Sequence, residues 1–128
     1  MISIDTNILI RIIVEDNDIQ AQKALKLINK EQEVFISALV ICETAWVLES
    51  SYKLKKDEII DVFENILRVS QFNIERSDAI WLALNEYKRI NMDFSDCLIG
   101  AVAKINDSSP VMTFDKNASR SNLFKLIK

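Results

Sequence analysis

Short apolar segments alternate along this chain with longer segments whose apolar residues recur at helical spacing. Four of the short segments have the length and composition of β-strands, at residues 2–4, 34–36, 72–75 and 111–114, and residues 124–127 can form a fifth. Helical segments separate the first four. Strands joined through helices pair in parallel, and the helices then cover both faces of the sheet. The chain is therefore predicted to be an α/β protein with three α/β/α layers around a central, mainly parallel sheet of four to five strands.

The helical segments begin at residues that favour helix starts. The apolar stretch 7–14 predicts the first helix, and Asp16, Asn17 and Asp18 predict a turn and a cap for the second, over about 19–30. The later helices are expected to begin at Ser37, Asp57, Ser77 and Asp93. With one glycine and one proline in 128 residues, tight turns should be few and regular elements long.

The composition limits both the class of protein and its chemistry. A length of 128 residues predicts one domain over 1–128. The chain has no histidine, which excludes a histidine general base, a Ser-His-Asp triad and histidine-bound zinc. The apolar run 8–14 contains Arg11 and is too short to cross a bilayer. Two cysteines and no export signal indicate a reducing cytoplasm.

Four carboxylates lie at predicted strand ends and helix starts: Asp5, Glu43, Asp96 and Asp115. The carboxyl ends of parallel strands are where sites form in such sheets, and Asp5 and Asp115 each follow a strand directly. Each acid stands among apolar residues, where a charge is costly unless something compensates it. The compensating group that we infer is a divalent metal, so the chain is interpreted as a metal-dependent hydrolase.

Mg²⁺ or Mn²⁺ suits this set of acids because both ions prefer oxygen ligands. The cluster can hold one ion, or two about 3.5–4 Å apart. Bound metal would lower the pKa of a water without help from histidine. Thr6 and Thr113 are expected to orient water or a carboxylate, and Asn7 to contact phosphate or an ordered water.

Each acid also has a purely structural interpretation. Asp5 can cap the following helix, Asp93 and Asp96 have the spacing of a capping box, and Asp115 can sit in an ordinary turn. Each of these interpretations is reasonable by itself. All four holding together, at two strand ends and two helix starts, is much less so.

The net charge of −3 is unusual for a protein that meets nucleic acid, but its distribution matters. Without the four acids the remainder carries +1. Basic residues gather at the C-terminus, where they either solvate the surface or contact a polyanion: Lys116, Arg120, Lys125 and Lys128. The expected substrate-binding residues are Arg11, Lys116 and Arg120.

Four segments of the chain resemble, in order and spacing, the motifs of the PIN-domain ribonucleases, specifically the VapC toxins of type II toxin–antitoxin systems. They are Asp5-Thr6-Asn7-Ile8-Leu9-Ile10-Arg11, Glu43-Thr44-Ala45-Trp46-Val47-Leu48, Asp93-Phe94-Ser95-Asp96-Cys97-Leu98-Ile99 and Thr113-Phe114-Asp115-Lys116. The resemblance extends over nearly the whole chain. Position 97 is cysteine and position 95 serine, where the family commonly has small residues, and neither should disturb the ligands.

The resemblance implies a PIN-like fold and cleavage of RNA with Mg²⁺ or Mn²⁺, leaving a 5′-phosphate and a 3′-hydroxyl. Carried over by position, Asp5 and Asp96 are the direct metal ligands, and Glu43 and Asp115 complete the acidic cluster. Asp93 matches a further acid near the pocket. The family also implies a homodimer and a VapB-type antitoxin that blocks the site, in a heterotetramer or larger complex.

Two alternatives remain open at this stage. One is another metal-dependent phosphoryl hydrolase, although a haloacid-dehalogenase-type phosphatase would need an acid where Asn7 stands, and a receiver domain would need one where Ser37 follows the second strand. The other is a PIN fold that serves only as a binding scaffold. Such a scaffold should have lost one or more of the acids, and here all four are present.

Overall fold

The computed structural model describes residues 1–15 and 18–128, and their contacts form two compact units, Met1–Glu75 and Arg76–Lys128. The first unit contains three strands and four helices: β1 (Ile2–Ser3), α1 (Thr6–Val14), α2 (Ile19–Asn29), β2 (Val34–Ile36), α3 (Ala38–Ser50), α4 (Lys56–Leu67) and β3 (Phe72–Ile74). The second contains α5 (Ser77–Arg89), α6 (Phe94–Ile105), β4 (Val111–Thr113), a short 3₁₀ helix (Ala118–Arg120) and β5 (Phe124–Leu126).

All strand pairings of the described residues are parallel, as predicted. In the first unit the order is β1-β2-β3, with Ile2 beside Val34 and Val34 beside Phe72. In the second unit β4 pairs with β5, and Val111 lies beside Phe124. The five strands thus form a three-stranded and a two-stranded sheet. The α/β class is confirmed.

Each unit has its own buried apolar side chains, on the helical faces that the sequence pattern indicates. Leu9 of α1, Ile41 and Leu48 of α3 and Phe63 of α4 are fully buried in the first unit. In the second unit α5 contacts α6, and the rings of Tyr87 and Phe94 meet edge to face with their centroids 5.8 Å apart. This geometry is favourable for aromatic pairs, and it joins the two helices that precede the β4–β5 sheet.

The helix starts show where side-chain capping decides an element boundary. Ser37 caps α3 by accepting a hydrogen bond from the Val40 amide at 3.1 Å, and Asp18 caps α2 through the Ala21 amide at 2.6 Å. Asp16 and Asn17, which we expected to share the turn before α2, lie outside the described residues.

Two predicted starts are wrong by one residue. The helix α4 begins at Lys56, before Asp57, because Glu58 reaches back to accept the Lys55 amide at 2.9 Å. Ser77 is the first residue of α5 and not its cap, since Arg76 precedes the helix with a left-handed φ of 56°. None of the helices in the described ranges, 1–15 and 18–128, is both long enough and apolar enough to cross a membrane.

Candidate functional site

Asp5 lies at the junction between β1 and α1. Its backbone is extended, and its Oδ1 accepts a hydrogen bond from the Ile8 amide at 3.0 Å. Asp5 therefore does cap α1, as its structural interpretation expected, and it uses one carboxylate oxygen, Oδ1, to do so. The residue is exposed. A capping bond of this kind fixes the carboxylate without burying it.

Glu43 lies in the second turn of α3, and its side chain is exposed. Glu43 does have apolar neighbours, since Leu39 and Trp46 lie about one turn away on the same face of α3, but all three side chains are exposed, so the charge of Glu43 is not buried. Helical periodicity directs Ile41, Thr44 and Ala45 into the interior and leaves Glu43 on the opposite face. Burial raises the pKa of the neighbouring Cys42 thiol, and the negative charge of Glu43 raises it further. Both effects keep that thiol protonated.

Asp96 lies in the first turn of α6. It is partly buried, whereas the other three of the four acids are exposed. Burial raises the pKa of Asp96, and the negative charges of Asp93 and Asp115 raise it further. Asp93 precedes α6 but makes no side-chain capping bond, so the capping-box interpretation of this pair is wrong. The second unit therefore brings three acids into mutual repulsion around Asp96.

A network of hydrogen bonds fixes the backbone around Asp115. The Asp115 amide donates to Thr113 Oγ1 at 3.0 Å, and Asp115 Oδ1 accepts from the Asn117 amide at 2.9 Å. Asn117 Nδ2 in turn donates to the Asn91 carbonyl at 3.0 Å. Asp115 does sit in a turn with Asn117, as its structural interpretation expected. Thr113 was expected to orient water or a carboxylate through its hydroxyl. In this turn the hydroxyl instead accepts the backbone amide of Asp115.

The predicted neighbours of Asp5 line a groove between α1 and α2. Asn7, Ile8, Arg11 and Gln20 contribute to a cavity of about 250 Å³ whose other walls include Lys23. Arg11 donates through Nε to Gln20 at 3.2 Å, and its guanidinium lies 3.5 Å from an Asp18 carboxylate oxygen. These contacts fix the guanidinium at the groove wall. Thr6 is the first residue of α1 and is half-buried.

The two C-terminal cations of the predicted site are exposed. Lys116 follows Asp115 directly, and Arg120 ends the 3₁₀ helix. Both side chains are therefore accessible to solvent and to a polyanion.

Three features of the structure had no place in the predicted site. Thr44, beside Glu43, is fully buried, and its hydroxyl finds no hydrogen-bond partner among the described residues. Glu86 is buried and bound by Ser121, which is 35 residues away. Phe114, beside Asp115, is 80% exposed. None of the three had a usable signal in the sequence: strand alternation places Met112 and Phe114 on the same face but does not indicate that this face is exposed.

The oxygen donors of the acids fit Mg²⁺ or Mn²⁺. Asp5 and Glu43 lie in the first unit, and Asp93, Asp96 and Asp115 lie in the second. Taken by itself, neither unit groups three or more acidic or cysteine side chains of its described residues closely enough to hold a metal ion. The repulsion around Asp96 is the feature that a cation would relieve.

Comparison with known proteins identifies the family. The PIN domain family model matches residues 2–122. The chain is 32% identical over 91 residues to a VapC ribonuclease of Aquifex aeolicus (strain VF5), covering 71% of this chain and 67% of the relative. It is also similar to the crystal structure of Mycobacterium tuberculosis VapC20, described as a sarcin–ricin-loop-cleaving toxin, at a TM-score of 0.46 and 17% identity over 94% of each chain.

The chain belongs to the PIN-domain family and, within it, to the VapC group, as the family model and the Aquifex relative together show. The family match spans both compact units. The predicted family membership is confirmed.

Proposed function

We propose that this protein is a metal-dependent endoribonuclease that acts in the cytoplasm as the toxin of a type II toxin–antitoxin system. The observation that carries the proposal is the group of mutually repelling acids around Asp96, in a chain that belongs to the VapC group. A fold gains nothing from such repulsion at neutral pH. A cation bound by these acids explains their presence, as strained or destabilised arrangements commonly mark functional sites.

In this proposal Asp5 and Asp96 bind the metal directly, and Glu43 and Asp115 complete its acidic surroundings, directly or through water. When bound, a divalent cation supplies a water of lowered pKa and positive charge near the scissile phosphate. The capping bond of Asp5 and the turn around Asp115 hold these carboxylates in place before metal or RNA arrives. Such preorganisation reduces the cost of binding at the moment of reaction.

The chain's cations position the RNA backbone. Arg11 is held at the groove wall by Gln20 and Asp18, and Lys116 and Arg120 are exposed on the second unit. Contacts of this kind bind phosphates without reading sequence, so their loss should weaken binding of all RNAs alike. Asn7 and Asp93 are assigned supporting roles near the phosphate and the metal.

The proposal is tested by cleavage of total RNA with the purified protein in Mn²⁺, in Mg²⁺ and in EDTA. We expect discrete fragments with 5′-phosphates that appear only with metal. Asp5→Asn and Asp96→Asn should each reduce the rate by more than about 100-fold, because even groups that merely support metal ligands are worth roughly 10–100-fold. Asp61→Asn, an exposed acid on α4, is the matched control and should cleave like the wild type.

The other outcomes point to the two alternative functions. Metal binding without RNA cleavage would favour a different phosphoryl substrate. Neither metal binding nor cleavage would favour a non-catalytic PIN-fold scaffold. Full activity in Asp5→Asn would remove Asp5 from the site.

We also propose that the protein forms a homodimer through α3 and binds a VapB-type antitoxin in a heterotetramer or larger complex. Leu39 and Trp46 are each 69% exposed and lie two turns apart on α3, on one face of that helix. Buried tryptophans commonly dominate interfaces, at about 2 kcal/mol or more each. Trp46→Ser should therefore shift the protein toward monomer in analytical ultracentrifugation, whereas Ile19→Ser, equally exposed on α2, should not. An unchanged sedimentation coefficient in Trp46→Ser would exclude this surface.

A further inference from the structure

Phe114 is the most exposed large apolar side chain in the part of the chain that the structure describes, with 80% of its surface accessible. Single exposed apolar residues are common on proteins and require no explanation by themselves. Phe114 differs from them in its position, since it directly precedes Asp115, one of the proposed site acids. An aromatic ring is therefore held in solvent immediately beside that acid.

Hydrogen bonds fix the backbone on both sides of Phe114. Before it, the Thr113 carbonyl accepts from the Ile127 amide at 2.8 Å, and Thr113 Oγ1 accepts from the Asp115 amide at 3.0 Å. After it, Asp115 Oδ1 holds the Asn117 amide. These bonds hold the residues on either side of Phe114, and the ring itself turns about two side-chain torsions. A rigid aromatic of this kind loses little conformational entropy when a partner covers it.

Three cations accompany Phe114 along the chain or in the strand register, besides the acid Asp115 that follows it directly. Lys116 and Arg120 follow it along the chain, and both are exposed. On β5, Lys125 is exposed and lies beside Met112 in the parallel register. An exposed aromatic ring accompanied by cations is the combination that binds single-stranded nucleic acid, because bases stack on the ring while the cations follow the phosphates.

We propose that Phe114 stacks against a nucleobase of the single-stranded RNA whose phosphodiester is cut beside Asp115. The inference rests on the proposed ribonuclease function and extends it by assigning a base-binding residue. Stacking tolerates any base, so Phe114 sets affinity for an unpaired nucleotide more than it sets sequence preference. The rival occupant of this surface is a protein partner, which would cover Met112 as well, since that residue is 52% exposed two positions earlier.

The experiment measures binding of a fluorescently labelled RNA oligonucleotide that spans the mapped cleavage site, in EDTA so that it stays intact. Phe114→Ala should weaken binding by roughly 5- to 150-fold, the range found for loss of one stacked base. Phe114→Trp should bind like the wild type or more tightly. Met112→Ala is the matched control, because it removes an exposed apolar side chain without removing a ring. In the presence of metal, Phe114→Ala should raise KM and change kcat little.

An abasic scan of the same oligonucleotide identifies the stacked base. At one position, removal of the base should weaken wild-type binding but leave Phe114→Ala unchanged, because the partner of the ring is already lost. Equal effects of Met112→Ala and Phe114→Ala on RNA binding would overturn the proposal. Unchanged RNA binding in Phe114→Ala, with loss of antitoxin binding instead, would assign the surface to the protein partner.

These outcomes separate the stacking role from the proposed function. Metal-dependent cleavage by the wild type together with normal RNA binding by Phe114→Ala would remove the stacking role and leave the ribonuclease in place. Absence of both binding and cleavage in the wild type would remove both.

Discussion

At the scale of single residues, Glu86 shows how a buried carboxylate stays ionised in this protein. It is 7% exposed on α5. Its Oε2 accepts from the Ser121 hydroxyl, and its Oε1 accepts from Arg89 Nε at 3.0 Å. Ser121 Oγ also accepts from the Leu123 amide at 3.1 Å. The carboxylate thus ties α5 to the turn before β5, within the second unit.

This network predicts a loss of stability in acid. Burial raises the pKa of Glu86, but the hydrogen bonds from Ser121 and Arg89 and the charges of Arg89 and Lys104 outweigh it, so the pKa lies below its ordinary value. A lowered pKa stabilises the fold above the unfolded-state value, about 4.3 for glutamate, and this stabilisation disappears as the pH falls through the folded-state value. Urea unfolding of the wild type should therefore show stability falling below about pH 5.

Ser121→Ala isolates the Glu86 contribution. Removing the hydroxyl leaves a buried carboxylate oxygen without a donor, so we expect a loss of about 1–3 kcal/mol at pH 7 and a shallower fall of stability toward pH 3. Glu49→Gln, at an exposed position on α3, should change neither. A Ser121→Ala variant with the wild-type stability and pH dependence would show that this hydrogen bond contributes nothing.

The sequence indicated which acids belong to the candidate site, but it did not predict how far each side chain is exposed to solvent. Their positions after strands and at helix starts were sufficient to single out Asp5 and Asp115. The expected burial failed for Asp5, Glu43 and Asp115, which are all exposed. For Glu43 the reason is that neighbours in sequence on a helix point in different directions. Glu86 was not foreseen, since its partner Ser121 is distant in sequence and a glutamate between Asn85 and Tyr87 on a helix has no distinctive pattern.

At the scale of helices and strands, local chemistry determined most boundaries. The strand at 34–36 and the caps Asp18 and Ser37 agree with the expected positions, because strand patterns and capping residues act within a few residues. The third strand ends one residue earlier than expected, and Asp93 precedes α6 without a side-chain capping bond. The start of α5 differed, because Arg76 adopts a left-handed conformation that no sequence preference for arginine indicates.

The contact of α6 with β5 gives an element-scale prediction. A Cβ on Gly100 would lie 2.8 Å from Leu123 Cβ and 2.9 Å from Phe124 Cε2. Alanine favours a helix over glycine by about 1 kcal/mol. Overpacking costs about 1–3 kcal/mol, and Leu123 Cβ moves only with its backbone. We therefore expect Gly100→Ala to destabilise the protein by up to about 2 kcal/mol in urea unfolding, the packing cost less the helical gain.

A matched change on the same helix controls for helix propensity. Ser95→Ala on α6 is exposed, adds no contact and should leave the free energy of unfolding within about 0.5 kcal/mol of the wild type. Stabilisation by Gly100→Ala would mean that β5 yields readily and that the close approach does not constrain α6.

At the scale of the whole molecule, the α/β fold class could be predicted from the sequence, but the division of the strands between two compact units could not. The alternation of strands and helices repeats along the chain, so several independent segments indicate the same α/β class. The separation into a three-stranded sheet in one unit and a two-stranded sheet in the other depends on pairings between distant segments, which local patterns do not encode. The family match over residues 2–122 includes segments of both units.

The thermal stability of the intact protein tests whether its acids form a metal site. Burial of Asp96 and the repulsion from Asp93 and Asp115 raise its pKa and so destabilise the folded protein at neutral pH without metal. Asp96→Asn should therefore raise the melting temperature by roughly 2–5 °C, about 1 kcal/mol for a domain of this size. Metal that binds only the folded state adds stability by mass action, about 2.7 kcal/mol at 100 times its Kd. The wild type should therefore gain stability in millimolar Mn²⁺, Asp61→Asn should gain as much, and Asp96→Asn should gain little.

A wild-type melting temperature that does not change with Mn²⁺ concentration would contradict a preformed metal site. An Asp96→Asn variant less stable than the metal-free wild type would mean that the carboxylate supports the fold itself, and that the repulsion from Asp93 and Asp115 is not what a metal relieves.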